Sequence, residues 1–102
     1  PEDEVHPDHA ALGAALRAAL SLCDPAPRAF AYEVWVPVRA THVIDVTGVF
    51  DAKRRALEAY ASQLAYNDYA HAVAGLNAAR SIYLPPARFV EAFAAVTPTR
   101  CA

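Results

Sequence analysis

Proline placement limits this chain more than any other feature. Eight prolines stand in 102 residues. Each fixes its own φ, removes an amide donor and biases the preceding residue away from helix. Asp24-Pro25-Ala26-Pro27, Pro37 and Pro85-Pro86 therefore divide the sequence into short stretches, each long enough for one or two elements. The chain is 56% hydrophobic, which is enough for one small core and too little for two domains.

Within these stretches the periodicity predicts the elements. Residues 1–8 read as a polar lead-in, with Asp8 as N-cap. A first helix is expected from about His9 to Leu22, with Leu12, Leu16 and Leu20 as its buried stripe and Gly13 allowing a close backbone approach. Residues 29–36 alternate as a strand, Phe30, Tyr32, Val34 and Val36 on one side, Glu33 and Trp35 on the other. A second strand covers His42 to Val46, and Thr47 can cap the next helix. That helix runs from about Val49 to Leu64, with Val49, Ala52, Ala56, Tyr60 and Leu64 apolar and Lys53, Arg54 and Glu58 outward. A third helical segment covers 68–80, with Tyr69, Val73 and Leu76 in register and Arg80 ending the stripe. A short final helix is expected from about Ala87 to Ala95, carrying Phe89, Val90 and Phe93. Two neighbouring strands alone make no stable sheet. Further strands are expected from a missing part of the domain, from another chain or from a second copy.

Composition excludes several classes. The formal charge is −2 and no basic stripe stands out, so no nucleic-acid partner is expected. The apolar runs are far shorter than a membrane span, and residues 1–15 open with acids rather than the basic segment of a signal peptide. Cys23 and Cys101 are too few for a disulfide framework and lack Cys-x-x-Cys spacing, which points to a reduced, cytoplasmic protein. The chain opens on Pro1 rather than Met, as at a processing boundary or in a partial gene.

His6-Pro7-Asp8-His9 places two imidazoles and a carboxylate within four positions. One reading is an exposed loop with an Asp cap; the other is half a metal site. Pro7 keeps His6 out of a regular helix with His9, so the two rings need not share a role. His9 can project beside Leu12 and Gly13, His6 can reach a substrate oxygen, and Asp8 is close enough to orient one imidazole through its ring N–H.

The string is followed by Tyr32-Glu33-Val34-Trp35, then Thr41-His42-Val43-Ile44-Asp45-Val46-Thr47 and Lys53. After these come Tyr60, Ser62-Gln63, Leu76-Asn77, Arg80 and Phe89-Val90-Glu91-Ala92-Phe93. This succession resembles the C-terminal half of the PIG-L/LmbE-like family of zinc-dependent N-acetylglucosaminyl deacetylases and covers most of the chain. The resemblance implies an α/β fold: the C-terminal part of a Rossmann-like deacetylase domain, with two strands and about four helices in residues 1–102. It implies His9 as a zinc ligand, His6 as the group that polarises the amide carbonyl or stabilises the oxyanion, and Asp8 as the residue orienting an imidazole. Zinc, or another divalent ion, would lower the pKa of a bound water and polarise the N-acetyl carbonyl of an amino-sugar conjugate. The family's earlier His-Pro-Asp-Asp motif, which supplies two ligands and the general base, is absent from these residues. The expectation is that this polypeptide alone is inactive and binds zinc poorly, working only with the N-terminal half, joined to it or as a separate chain. The alternative is a non-catalytic remnant that serves as an assembly or binding module.

Other residues read as structural. His42 is expected at a surface or edge and His71 on a helix. Asp45 is expected to be partly buried, in a network with Thr47 or Lys53. Lys53-Arg54-Arg55 reads as a solvated charge run. Ser62 has no glycine-framed nucleophile motif around it. Trp35, Tyr66 and Tyr69 read as packing residues, with a subunit contact as the alternative.

Overall fold

A computed structural model describes residues 5–34 and 36–98. Trp35 and Cys101, both singled out above, lie outside the described residues, as does Pro1. The α-helices are α1 (Pro7–Ser21), α2 (Phe50–Glu58), α3 (Ala61–Leu64) and α4 (Tyr69–Arg80), with 3-10 turns at Thr47–Val49 and Ser81–Tyr83. The strands are β1 (Ala29–Tyr32), β2 (His42–Asp45) and β3 (Val90–Val96), forming one sheet in the order β1-β3-β2. The class is mixed α/β, with four α-helices and a three-stranded antiparallel sheet among the described residues. No helix among them is long and apolar enough to cross a membrane.

Three strands replace the two expected, and the third comes from within the chain. Residues 90–96 are not the final helix that their alanines suggest but the central strand. Val90 and Ala92 are buried while Glu91 and Phe93 are half-buried, the two-residue period of a pleated strand. β1 and β3 are antiparallel, with Ala29 opposite Val96, Phe30 opposite Ala95, Ala31 opposite Ala94 and Tyr32 opposite Phe93. Tertiary pairing here outweighs the helix preference of alanine, which amounts to a few tenths of a kcal/mol per residue (about 0.5).

The chain divides into two compact units, one of residues 1–42 with 93–102 and one of residues 43–92. In the first, α1 begins two residues earlier than expected, because Pro7 sits at its first position with φ already set for helix. Asp8 is thus inside the first turn, and His6 is the N-cap. Of the expected stripe only Leu20 is buried, at 4% exposure, whereas Leu12 is 71% exposed and Leu16 is also exposed. Gly13 makes no close approach: a Cβ there would meet only the Arg17 side chain, at 3.8 Å. Leu20→Ala is expected to cost about 2–4 kcal/mol in thermal denaturation, and Leu12→Ala less than about 0.5 kcal/mol.

β1 stops at Tyr32, four residues before the expected end. Glu33 Oε1 accepts the Val38 N–H at 3.0 Å, and this folds the following residues into a loop around Pro37. Phe30, Tyr32 and Val34, expected to share one side of the strand, are all exposed. Thr41 pins the far side of this unit: its N–H donates to the Phe93 carbonyl at 2.8 Å, and its Oγ1 accepts the Ala95 N–H at 2.8 Å.

In the unit of residues 43–92, the buried side chains are Val46, Phe50, Val90, Ala92 and Asn77. The Phe50 and Phe89 rings stack with centroids 3.7 Å apart. The helix expected over 49–64 is broken at Tyr60, whose ψ of 66° leaves the helical region. Its packed face is Phe50, Lys53 and Leu57, not Val49, Ala52, Ala56 and Tyr60, which are exposed. α4 matches its expected span, capped by Asp68, whose carboxylate accepts the His71 N–H at 3.0 Å. The Arg80 guanidinium lies over the Tyr83 ring, 5.8 Å from its centroid.

Candidate functional site

The His6-Pro7-Asp8-His9 string forms the first turn of α1. His6 is extended, with ψ of 122°, and its Nδ1 accepts the Asp8 N–H at 3.3 Å. That bond occupies the Nδ1 lone pair, so neutral His6 with this bond carries its proton on Nε2, as a donor. His9 follows one turn on and is half-buried, whereas His6 and Asp8 are exposed. The two imidazole centroids are 4.7 Å apart and the rings are tilted by 32°. The bond between these two residues uses the Asp8 backbone amide, not its carboxylate, and makes His6 the cap of the helix. The Asp8 carboxylate lies in the first turn, where the positive end of the helix dipole favours an anion.

Imidazole is a good ligand for zinc, so the donor chemistry fits. The donor number does not. A catalytic zinc takes three protein ligands, and no group of three or more His, Cys, Asp or Glu side chains is placed to hold a metal among the described residues.

The remaining candidates fall elsewhere. His42 is exposed at the start of β2, with Nδ1 2.8 Å from Thr41 Oγ1 and its ring edge-on to Phe30. His71 is exposed on α4. Asp45 is exposed rather than partly buried, but its expected donor is present: the Thr47 N–H donates to Oδ1 at 2.9 Å. Hydrogen bonds from the Thr47 side chain and then its backbone hold the Asp45 carboxyl below its ordinary pKa. Thr47 does not cap a helix. Its hydroxyl accepts the N–H groups of Arg88 at 3.0 Å and Phe89 at 3.2 Å. Ser62 and Gln63 are exposed. Tyr66 is 87% exposed and so is no packing residue, while Tyr69 is half-buried and accepts from Asn67 Nδ2 at 3.3 Å. Cys23 is an exposed free thiol.

Thr47→Val is expected to destabilise the chain by about 1–2 kcal/mol, since two backbone amides lose their acceptor. It should also raise the Asp45 pKa toward its ordinary value, which a carbon-13 carboxyl titration reads directly. The sign follows from linkage. A carboxyl depressed in the folded state stabilises it above the unfolded pKa, and that contribution fades as pH falls through the folded value. The variant should therefore lose less stability on acidification than the parent.

One cluster escaped the sequence pattern. Lys53 Nζ donates to Asn77 Oδ1 at 2.8 Å and also to Glu91 Oε1, joining α2, α4 and β3. Lys53 is thus half-buried and paired, not part of a solvated run. Its α2 position, three residues after buried Phe50 and four before Leu57, is the signal that places it on the inner face.

No protein-family model, curated protein or solved structure matches this sequence.

Proposed function

We propose that this chain is the C-terminal part of a metal-dependent N-deacetylase of the PIG-L/LmbE-like kind. The complete protein would hydrolyse the N-acetyl group of an N-acetylglucosamine-type or related amino-sugar conjugate. The supporting observation is the division between the two imidazoles: His6 has its Nδ1 committed to the Asp8 amide, and His9 stands 4.7 Å away on the half-buried side of the same turn. His9 would contribute one metal ligand. His6 would present Nε2–H to the acetamide oxygen and hold the oxyanion as it develops. Asp8 would keep the His6 ring in that orientation through its backbone. The other two ligands would come from a segment like the family's His-Pro-Asp-Asp motif.

The Rossmann-like sheet belongs to this proposal through the resemblance, since the sheet among the described residues is antiparallel. Among the described residues β1 and β2 are its outer strands, and further strands of a larger sheet would add there. A cytoplasmic setting belongs to the same proposal. A second reading, a non-catalytic module that packs on another chain, is favoured by the exposed side chains of Leu12, Leu22, Tyr66 and Ile82.

The test is a zinc titration with an acetate-release assay on the 102-residue chain. No tight stoichiometric zinc and no turnover are expected; tight zinc with turnover from these residues alone would sink the division of ligands.

A further inference from the structure

We propose that the outer edge of β1 pairs with β1 of a second copy of this chain, antiparallel and about a two-fold axis at Phe30. The backbone shows which groups this edge presents. Thr41 immediately precedes β2; its N–H donates to the Phe93 carbonyl and its Oγ1 accepts the Ala95 N–H. In an antiparallel strand the N–H and C=O of one residue point the same way, and this direction alternates along the chain. Phe93 and Ala95 therefore point toward β2. Ala94 and Val96 point toward β1, where they stand opposite Ala31 and Ala29. It follows that Ala29 and Ala31 bond to β3, while the N–H and C=O of Phe30 and Tyr32, and by alternation those of Arg28, point to the outer edge. No strand pairs with that edge among the described residues.

A two-fold axis normal to a sheet keeps every side chain on its face, so even-numbered residues meet even-numbered ones. With the axis at Phe30, Phe30 meets Phe30 of the second copy, Ala29 meets Ala31 and Arg28 meets Tyr32. Every outward-pointing residue then faces another, and each such pair exchanges both its backbone bonds. The side chains fit the same axis. Ala29-Phe30-Ala31 reads alike from both ends. The Arg28 guanidinium already lies over the Phe30 ring, 6.0 Å from its centroid, on the side of the strand that carries Tyr32. Across the axis it would stand against the second copy's Tyr32 ring, a cation–π pair made twice. Phe30 is 37% and Tyr32 65% exposed, so both rings are open to be covered. An axis at Ala31 would instead set Arg28 against Val34, beyond the end of the strand, where Glu33 is tied to the Val38 N–H. Ala29–Tyr32 carries no charge and no proline, the usual means of keeping an edge from pairing. With β1 taken in this way, strands of a larger sheet would add at β2.

The test is sedimentation equilibrium of the 102-residue chain, with a mixture of carbon-13-labelled and unlabelled chains to read the register. A monomer–dimer equilibrium is expected between roughly 0.01 and 1 mM. The mixture should show an inter-chain Hα–Hα contact between Ala29 and Ala31, which lie about 7 Å apart within one strand. Phe30→Pro removes only an outward amide. It should abolish the dimer and keep the intrachain contacts of residues 29–32 with 93–96. Tyr32→Lys sets like charges opposite each other at both Arg28 positions and should raise the dimer Kd by roughly tenfold or more. Tyr32→Glu sets opposite charges there and should leave the Kd unchanged or lower it. A chain that stays monomeric at about 1 mM overturns the proposal. So do a dimer without the Ala29–Ala31 contact, growth into open polymers, and a folded Phe30→Pro variant that still dimerises. Equal weakening by both Tyr32 variants, the result of burying the exposed rings without this register, also overturns it. If Phe30→Pro unfolds, the differing response of the two Tyr32 variants supports the proposal and an equal response overturns it.

Discussion

Val90→Asp is expected to abolish cooperative unfolding of the unit formed by residues 43–92. Val90 has 0% exposure, and its neighbour Phe89 stacks on Phe50. An aspartate there is taken fully out of water. An unpaired carboxylate in such a site costs several kcal/mol (about 3–5) or takes up a proton. A small core provides only about that much stability in total. Val90→Ala, which removes volume without adding charge, should cost about 1–3 kcal/mol and leave a measurable transition. Ala92→Asp then separates strand from helix. Residues 90 and 92 share one face of a strand but lie about 200° apart on a helix. Ala92 is buried with Val90, so Ala92→Asp should be as damaging as Val90→Asp in thermal melts followed by circular dichroism. A parent-like melt for Ala92→Asp would return residues 87–95 to a helix.

The second large effect concerns the two histidines, and it is read in a protein that carries the remaining ligands. His9→Ala is expected to lose the metal and with it all measurable acetate release. His6→Ala should keep the metal, because His6 Nδ1 is bound to the Asp8 amide and His6 is assigned no ligand role. Its rate should fall by roughly 10²–10³, the usual effect of removing one oxyanion donor. Metal content and kcat measured together distinguish the two roles. Loss of metal in His6→Ala would reverse the assignment. Asp8→Asn retains the backbone amide that holds His6 and should change the rate far less than His6→Ala.

What was legible in the sequence was mostly written by proline, whereas neither expected cap, Asp8 or Thr47, caps a helix. Pro25 and Pro27 mark the end of α1, Pro37 lies in the loop after β1, and Asp68 starts α4. β2 was legible because His42-Val43-Ile44-Asp45 has little helical alternative. β3 was not. Alanine fits both strand and helix, and the sheet that decides between them is formed by residues more than forty positions away. The Leu12–Leu16–Leu20 spacing correctly gave a helix, but periodicity states only which side chains share a face, and in these residues only Leu20 is covered. Lys53 shows the reverse case. A lysine between Ala52 and Arg54 looks solvent-facing, yet Asn77 and Glu91 meet it from 24 and 38 residues further on. At the candidate site, the string of residue types was plain in the sequence. That His6 rather than Asp8 caps α1 depended on where the helix began, which Pro7 sets.

The most direct measurement is the number of zinc ions retained per molecule after dialysis against a weak chelator. The 102-residue chain is compared with the same chain joined to a segment bearing the His-Pro-Asp-Asp ligands. Expected is close to none for the chain alone and one for the joined protein, with the gain abolished by His9→Ala. Equal zinc in both forms, or a joined protein whose zinc is indifferent to His9→Ala, would contradict the assignment of this chain as the part of a deacetylase that supplies one metal ligand.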